Sequence, residues 1–244
     1  MEYVPSYENF SQITNAARST HKIKKFTEIS SDVEEFIVLR HDIEFDIEKA
    51  RQLAEIEADL GVASTYLVQI GSAAYNAFSD ENLARLERII ELGHDVGLHY
   101  RQKGVGFYEE EEHIRQELIA LRLMLPKASM VFGCHRPKAG TAYDKYMVNG
   151  AINTYSAPFF YRTDKPEQAA TRYISDSKWR WNYGSPNYQV FRDLPRIQLL
   201  THPFQWSAGA NVMGMTFNAI SLLHRMELTE CFENEYERYA EIEE

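Results

Sequence analysis

Cysteine is scarce. The 244 residues hold two, Cys134 and Cys231, with no C-x-x-C pair. That argues against a disulfide framework and for a reducing compartment, with each thiol read as a small buried hydrophobe. Long apolar runs are also missing: nothing approaches the ~18 residues of a membrane span. The opening MEYVPSYENF lacks the basic stretch and apolar run of a secretory signal, so a cytoplasmic chain is expected. No G-x-G-x-x-G follows the first predicted strand, which leaves a dinucleotide site unsupported. Internal repeats, low-complexity tracts and Pro/Gly/Ser-rich linkers are absent. Positive charge is in deficit, with 26 Lys and Arg against 36 Asp and Glu, for a net charge of -10. An acidic surface argues against nucleic-acid phosphate as the main partner.

What remains is an ordinary globular composition, 44% hydrophobic and 25% charged, long enough for one large α/β barrel. The first 30 residues read as a helical or irregular lead-in. Strand and helix patterns then alternate. FIVLRH (36–41) predicts a strand. Residues 46–60 predict a helix capped by Asp46, with an apolar stripe of Ala50, Leu53, Ala54 and Ile56 and a stop at Gly61. STYLVQ (64–69) is a second strand. Residues 79–92 form a second helix, ended by Gly93, and HDVGLH (94–99) a third strand. An acidic run, Glu109 to Glu112, suits the N-terminus of a helix over 108–124, whose buried side is Leu118, Leu121 and Leu125. Short strands are expected at 130–133, 152–155, 172–175 and 196–200, and a helical tail from about residue 215 to 244. Alternation of this kind predicts an α/β fold of about seven parallel strands in a closed or nearly closed barrel, spanning 1–244 as a single domain.

Parallel barrels do chemistry at the C-terminal ends of their strands. Here those ends read RHDIE (40–44), GLHY (97–100), GCHRP (133–137), SDS (175–177) and LLTHP (199–203). Five polar endings at matching positions predict one convergent site. Period-two alternation puts Arg40, Asp42 and Glu44 on one face of the first strand, and Ile37, Leu39 and His41 on the face that meets helices. His94 and His99, five apart, point oppositely. His99, at the strand end, is the site candidate, and His94 reads as structural. In the last strand Gln198, Leu200 and His202 share a face.

In order and spacing, RHDIE, GHDVGLHY, GCHRP, YISDSKWRW and LLTHP resemble the motifs of the polysaccharide deacetylases, the NodB-like superfamily called carbohydrate esterase family four where activity is known. The resemblance covers roughly residues 36–206 and looks closest to the branch associated with surface-polysaccharide (O-antigen) biosynthesis. It implies a distorted (β/α) barrel, a divalent metal, with zinc the first choice, and removal of acetyl from an N-acetyl amino sugar; the expected activity is removal of an N-acyl group, acetyl or formyl. By motif position it implies Asp42 as general base, Arg136 as the arginine orienting it, Asp176 and Trp179 as the acid and aromatic of a late motif, and His202 as general acid.

Two positions depart from the pattern. Glu44 stands where the family has Asp, and the second histidine of H-x-x-x-H falls at Lys103. His135 offers a replacement, so that Glu44, His99 and His135 become the expected metal ligands, leaving one position open. The three tryptophans, Trp179, Trp181 and Trp206, with Tyr161 and Tyr183 nearby, suggest a rim that stacks on sugars, or equally core filler. The expected partner is a small-molecule or lipid-linked amino sugar. A metal-independent amide hydrolase and a degenerate, glycan-binding barrel stay open as alternatives, as does assembly into a homo-oligomer.

Overall fold

A computed structural model describes residues 3–30, 35–137, 145–160, 171–209 and 213–243, with side chains to residue 233. Seven strands form one sheet: β1 (Phe36–Ile43), β2 (Thr65–Val68), β3 (Asp95–Arg101), β4 (Val131–His135), β5 (Ile152–Asn153), β6 (Arg172–Ser175) and β7 (Arg196–Thr201). Every neighbouring pair is parallel, in the order β5-β4-β3-β2-β1-β7-β6. The seven parallel strands are those the alternation predicts, and their curl is that of the distorted (β/α) barrel that the motif resemblance implies. Among the described residues the edge strands β5 and β6 do not pair, so the wall curls without closing.

The crossover helices are α2 (Ile47–Asp59), α3 (Asp80–Glu91) and α4 (Phe107–Met124). Their ends obey local chemistry. Asp46 and Ser79 accept from the backbone N–H three residues on, each cap adding about 1 kcal/mol. Gly61 and Gly93 leave α2 and α3 at φ 68 and 98, in the left-handed region that other residues avoid. The lead-in is helical, α1 (Tyr7–Arg18), and packs beside α2. A short helix, α5 (Tyr188–Asp193), capped by Asn187, was not anticipated. Strand β5 is half its expected length. Asn153 Oδ1 accepts from Tyr155 N at 3.0 Å, a local turn that pulls the chain off the ladder. The last helix, α6 (Met213–Glu243), meets the core chiefly at the 3-10 turn Pro203–Gln205.

Strand β1 divides two interiors. Its outward residues Ile37, Leu39 and Ile43 join the main core under the helices. There His41 Nε2 meets buried Glu57 Oε1 at 2.9 Å, and Ser64 and Tyr66 donate to the other oxygen of that carboxylate. A charge without water is thus fully hydrogen-bonded. His94 is structural, as expected: Nε2 lies 3.0 Å from Ala54 O, and Nδ1 accepts from Ser64 N. Inward-facing Phe36 and Val38 form a small apolar plug with Phe26, Leu67, Val131 and Phe159. Above that plug, the inward positions of β1 turn polar.

Candidate active site

Climbing the inner face of β1, the chain passes Arg40, Asp42 and Glu44. Arg40 and Asp42 are buried. Arg40 Nε donates to Asp42 Oδ1 at 2.7 Å and Nη2 to Oδ2 at 2.9 Å, a bidentate pair. The Arg40 guanidinium also donates to Thr154 Oγ1 at 3.0 Å and lies 4.6 Å above the Tyr155 ring. Burial alone would raise the pKa of Asp42. The charge and bonds of Arg40, helped by His99 and His202, win and hold it below the usual carboxylate range.

The arginine on Asp42 is therefore Arg40, where the sequence reading expects Arg136. Strand β4 ends at His135, and the backbone turns through Arg136 at φ 45, which leaves its side chain exposed. Room for Arg40 comes from Gly133. A Cβ there would lie 2.6 Å from Arg40 Nη2 and 2.6 Å from Thr154 Oγ1. Gly133→Ala is expected to push the guanidinium off Asp42 and to cost about 1–3 kcal/mol through overpacking, read as a lower urea midpoint with reduced turnover.

Glu44, His99 and His135 converge. One ligand atom of each lies within 4.8 Å of the others. His135 Nδ1 is 3.0 Å from Glu44 Oε1 and 3.0 Å from His99 Nε2. The other nitrogen of His99, Nδ1, faces the Gly133 carbonyl oxygen at 3.3 Å. A carbonyl only accepts, so Nδ1 carries the proton and Nε2 presents its lone pair to the cluster. Burial, more than the opposing charge of Asp42, lowers the pKa of His99 to about 4, which keeps it neutral. Burial would raise Glu44, but the hydrogen bond with His135 and the nearby His202 and His99 hold it low. One carboxylate and two imidazoles at this spacing fit a divalent cation.

The position of the missing second histidine is tied down elsewhere. Lys103 Nζ pairs with Glu117 at 2.7 Å. The backbone N–H groups of Lys103, Gly104 and Val105 all donate to buried Glu110 of α4, which also accepts from Tyr100. The loop is folded onto the helix, away from the cluster. Glu110→Ala is expected to free it, with faster amide hydrogen exchange at 103–105 and a loss of about 2–3 kcal/mol.

On the far side, His202 follows β7 and its Nε2 lies 3.9 Å from Glu44 Oε1. Its Nδ1 is 2.6 Å from Asp176 Oδ1. The fully buried Asp176 also accepts from His202 N and Trp206 Nε1, each at 3.0 Å. Burial disfavours the imidazolium, but the charge and hydrogen bond of Asp176, then Glu44 and Asp42, raise its pKa to about 9.

Of the tryptophans, Trp206 is buried and donates to Asp176, the carboxylate that also holds His202. Trp181 packs edge-on against Tyr3 and tilted against Trp206. Only half-buried Trp179 joins the rim, in contact with Phe204, which in turn meets Phe45 and His202. Tyr161 lies outside the described residues, and Tyr183 is exposed beside Tyr173. Sequence reasoning missed Arg40 as the partner of Asp42, and it missed Gln69 and Tyr75. Tyr75 OH accepts from Gln69 N and donates to Ile43 O, joining the ends of β2 and β1. Arg40 stood in the RHDIE motif on the right face. Gln69 and Tyr75 carried no signal of their own.

No protein-family model matches the chain, and no curated protein does. Solved structures do resemble it. A peptidoglycan deacetylase of Bdellovibrio bacteriovorus is 14% identical, over 83% of this chain and 53% of its own, at a TM-score of 0.46. A CE4 family pseudoenzyme from Bacillus anthracis is 12% identical, over 82% and 63%, at 0.41. A peptidoglycan N-acetylglucosamine deacetylase is 14% identical, over 89% and 91%, at 0.47. The chain thus spans between about half and two thirds of the length of the first two. Among the described residues no helix is long and apolar enough to cross a membrane.

Proposed function

We propose that this chain is a metal-dependent hydrolase that removes an N-acyl group, acetyl or formyl, from an amino sugar. One observation carries the reading: a Glu44–His99–His135 cluster lies between an Arg40-paired carboxylate and an Asp176-held imidazole. The motif resemblance over residues 36–206 supplies the substrate class, and polysaccharide or lipopolysaccharide precursors are the proposed setting.

Glu44, His99 and His135 would hold the ion, zinc in the first instance, which supplies Lewis acidity toward an amide carbonyl and water. The chain's own groups move the protons. Asp42, kept ionised by Arg40, takes a proton from the attacking water as its oxygen bonds the acyl carbon. His202 bears a proton on Nε2, facing the cluster, and gives it to the amine nitrogen as the C–N bond breaks. The products are a carboxylate and a free amino sugar. Asp176 holds the imidazole by Nδ1 and favours its protonated form. The half-buried Trp179, Phe204 and Phe45 offer flat apolar faces to a pyranose ring.

The test is metal content and amine release on one preparation. About one divalent ion per chain is expected, lost in Glu44→Ala, His99→Ala and His135→Ala. Release of acetate or formate from N-acylated amino sugars should fall by 10²–10⁴ in Asp42→Asn. A metal-free chain that still hydrolyses the substrate would favour a metal-independent amide hydrolase. Sugar binding without amine release would favour a glycan-binding barrel.

A further inference from the structure

Between the strand of Glu44 and the strand of His99 lies β2, and at its C-terminal end sits Gln69, only 7% exposed. Its side-chain Nε2 is 3.4 Å from His135 Nδ1, the nitrogen that faces Glu44 and His99. Among the described residues the carboxamide makes no other hydrogen bond. Its backbone is fixed as well: Gln69 N donates to Tyr75 OH, which donates to Ile43 O, the carbonyl just before Glu44. A single tyrosine thus sets the end of β2 against the end of β1.

We propose that Gln69 is a fourth protein donor to the ion, through its carboxamide oxygen, and so takes a share of the place left by the second histidine. The inference rests on the three-ligand reading above. Two arguments carry it. The first is spacing. Ligand atoms about 2.0–2.2 Å from an ion in tetrahedral array lie roughly 3.3–3.6 Å from one another. Gln69 stands at that separation from His135 Nδ1. The second is hydrogen-bond logic. As a ligand, His135 Nδ1 directs its lone pair at the ion and cannot accept from an amide N–H. A half-turn about the last side-chain torsion exchanges NH2 for the nearly isosteric oxygen, and that torsion is broad and two-fold. The oxygen then faces the cluster, where a cation attracts it.

The result is a set of two imidazole nitrogens, a carboxylate oxygen and an amide oxygen. Compared with a carboxylate and two histidines alone, it gives more weight to hard oxygen donors. Cobalt, nickel, iron and manganese accept such a set alongside zinc, and ions that take five or six donors keep positions free for substrate.

Calorimetric titration of the chelated full chain with Co²⁺ and with Zn²⁺, together with the visible spectrum of the Co²⁺ form, tests this without an activity assay. Gln69→Leu should bind Co²⁺ about 10–100-fold more weakly, with a changed d–d band and an unaltered melting temperature in the metal-free state. Gln69→Glu should bind at least as tightly as the unsubstituted chain. Equal affinity and an unchanged spectrum in Gln69→Leu would overturn the role of Gln69 and leave the three-ligand site standing. Weaker binding with an equal loss of metal-free stability would also overturn it, because packing would then be the cause. An unsubstituted chain that takes up no ion would overturn both. Should Gln69→Leu fail to fold, Gln69→Glu decides: equal or tighter binding supports the donor role, and weaker binding removes it.

Discussion

Arg40→Met is expected to cost about 3–5 kcal/mol of folding stability and to lower turnover by two or more orders of magnitude. The pair it breaks is buried on both sides. A surface ion pair contributes little, but removing one member of a buried pair strands the other without water. Asp42 would then be protonated or displaced, and either outcome removes an ionised base. Arg40→Lys should fail nearly as badly, because an ammonium cannot reproduce the bonds from Nε and Nη2. The double variant Arg40→Met, Asp42→Leu separates the two effects. With no charge left to strand, it should recover most of the stability and none of the activity. Urea unfolding and amine release on the same samples measure both. A fully active Arg40→Met would return the role to another cation.

The second large effect is at Asp176. Asp176→Asn keeps the shape but removes the charge, and it places an NH2 among groups that already donate: His202 N, His202 Nδ1 and Trp206 Nε1. Activity should fall at least 100-fold. The pH dependence of stability gives an independent reading on the metal-free chain. The His202 pKa is raised to about 9 in the folded state from an ordinary 6.5. The folded state therefore binds that proton more tightly than the unfolded one. Its stabilisation is complete below pH 6.5 and is lost as pH rises through 9. At about 1.4 kcal/mol per unit, roughly 3 kcal/mol is at stake. The stability gap between the unsubstituted chain and Asp176→Asn should narrow by that order between pH 6.5 and 9. A gap that stays constant across the window would remove Asp176 as the source of the shift.

Legibility from sequence followed interaction range. Period-two alternation is local, so the two faces of β1 were readable: Arg40, Asp42 and Glu44 inward, His41 outward. Capping and glycine stops are local too, and the bounds of α2 and α3 came within a residue. Strand-end placement singled out His99 and His202 over His94. The partner of Asp42 was another matter. Motif order pointed to Arg136, but one left-handed residue after β4 turns that side chain outward, and φ is not written in GCHRP. Gln69 reaches the cluster only because β2 lies between β1 and β3, a neighbour relation that single strands do not announce. The short β5 and the helix α5 depend on side-chain-to-backbone bonds of Asn153 and Asn187 that compete with regular structure.

The double duty of β1 also bears on how such a chain can change over generations. One face of the strand anchors the helical core and the other carries Asp42, the proposed base, its counter-ion Arg40 and, one step on, the proposed ligand Glu44. A deletion or insertion of one residue within 36–43 would exchange the two sets, sending Arg40 and Asp42 into the apolar core and Leu39 and His41 toward the polar cluster. Substitutions can therefore accumulate there singly, but length cannot vary. The loop after β3 has no such phase to keep, because the Glu110 carboxylate holds it by backbone N–H groups that any residue except proline supplies, with glycine favoured only at position 104, where φ is 81. Sequence novelty in relatives of this barrel should gather in segments of the second kind, around a first strand whose length is frozen.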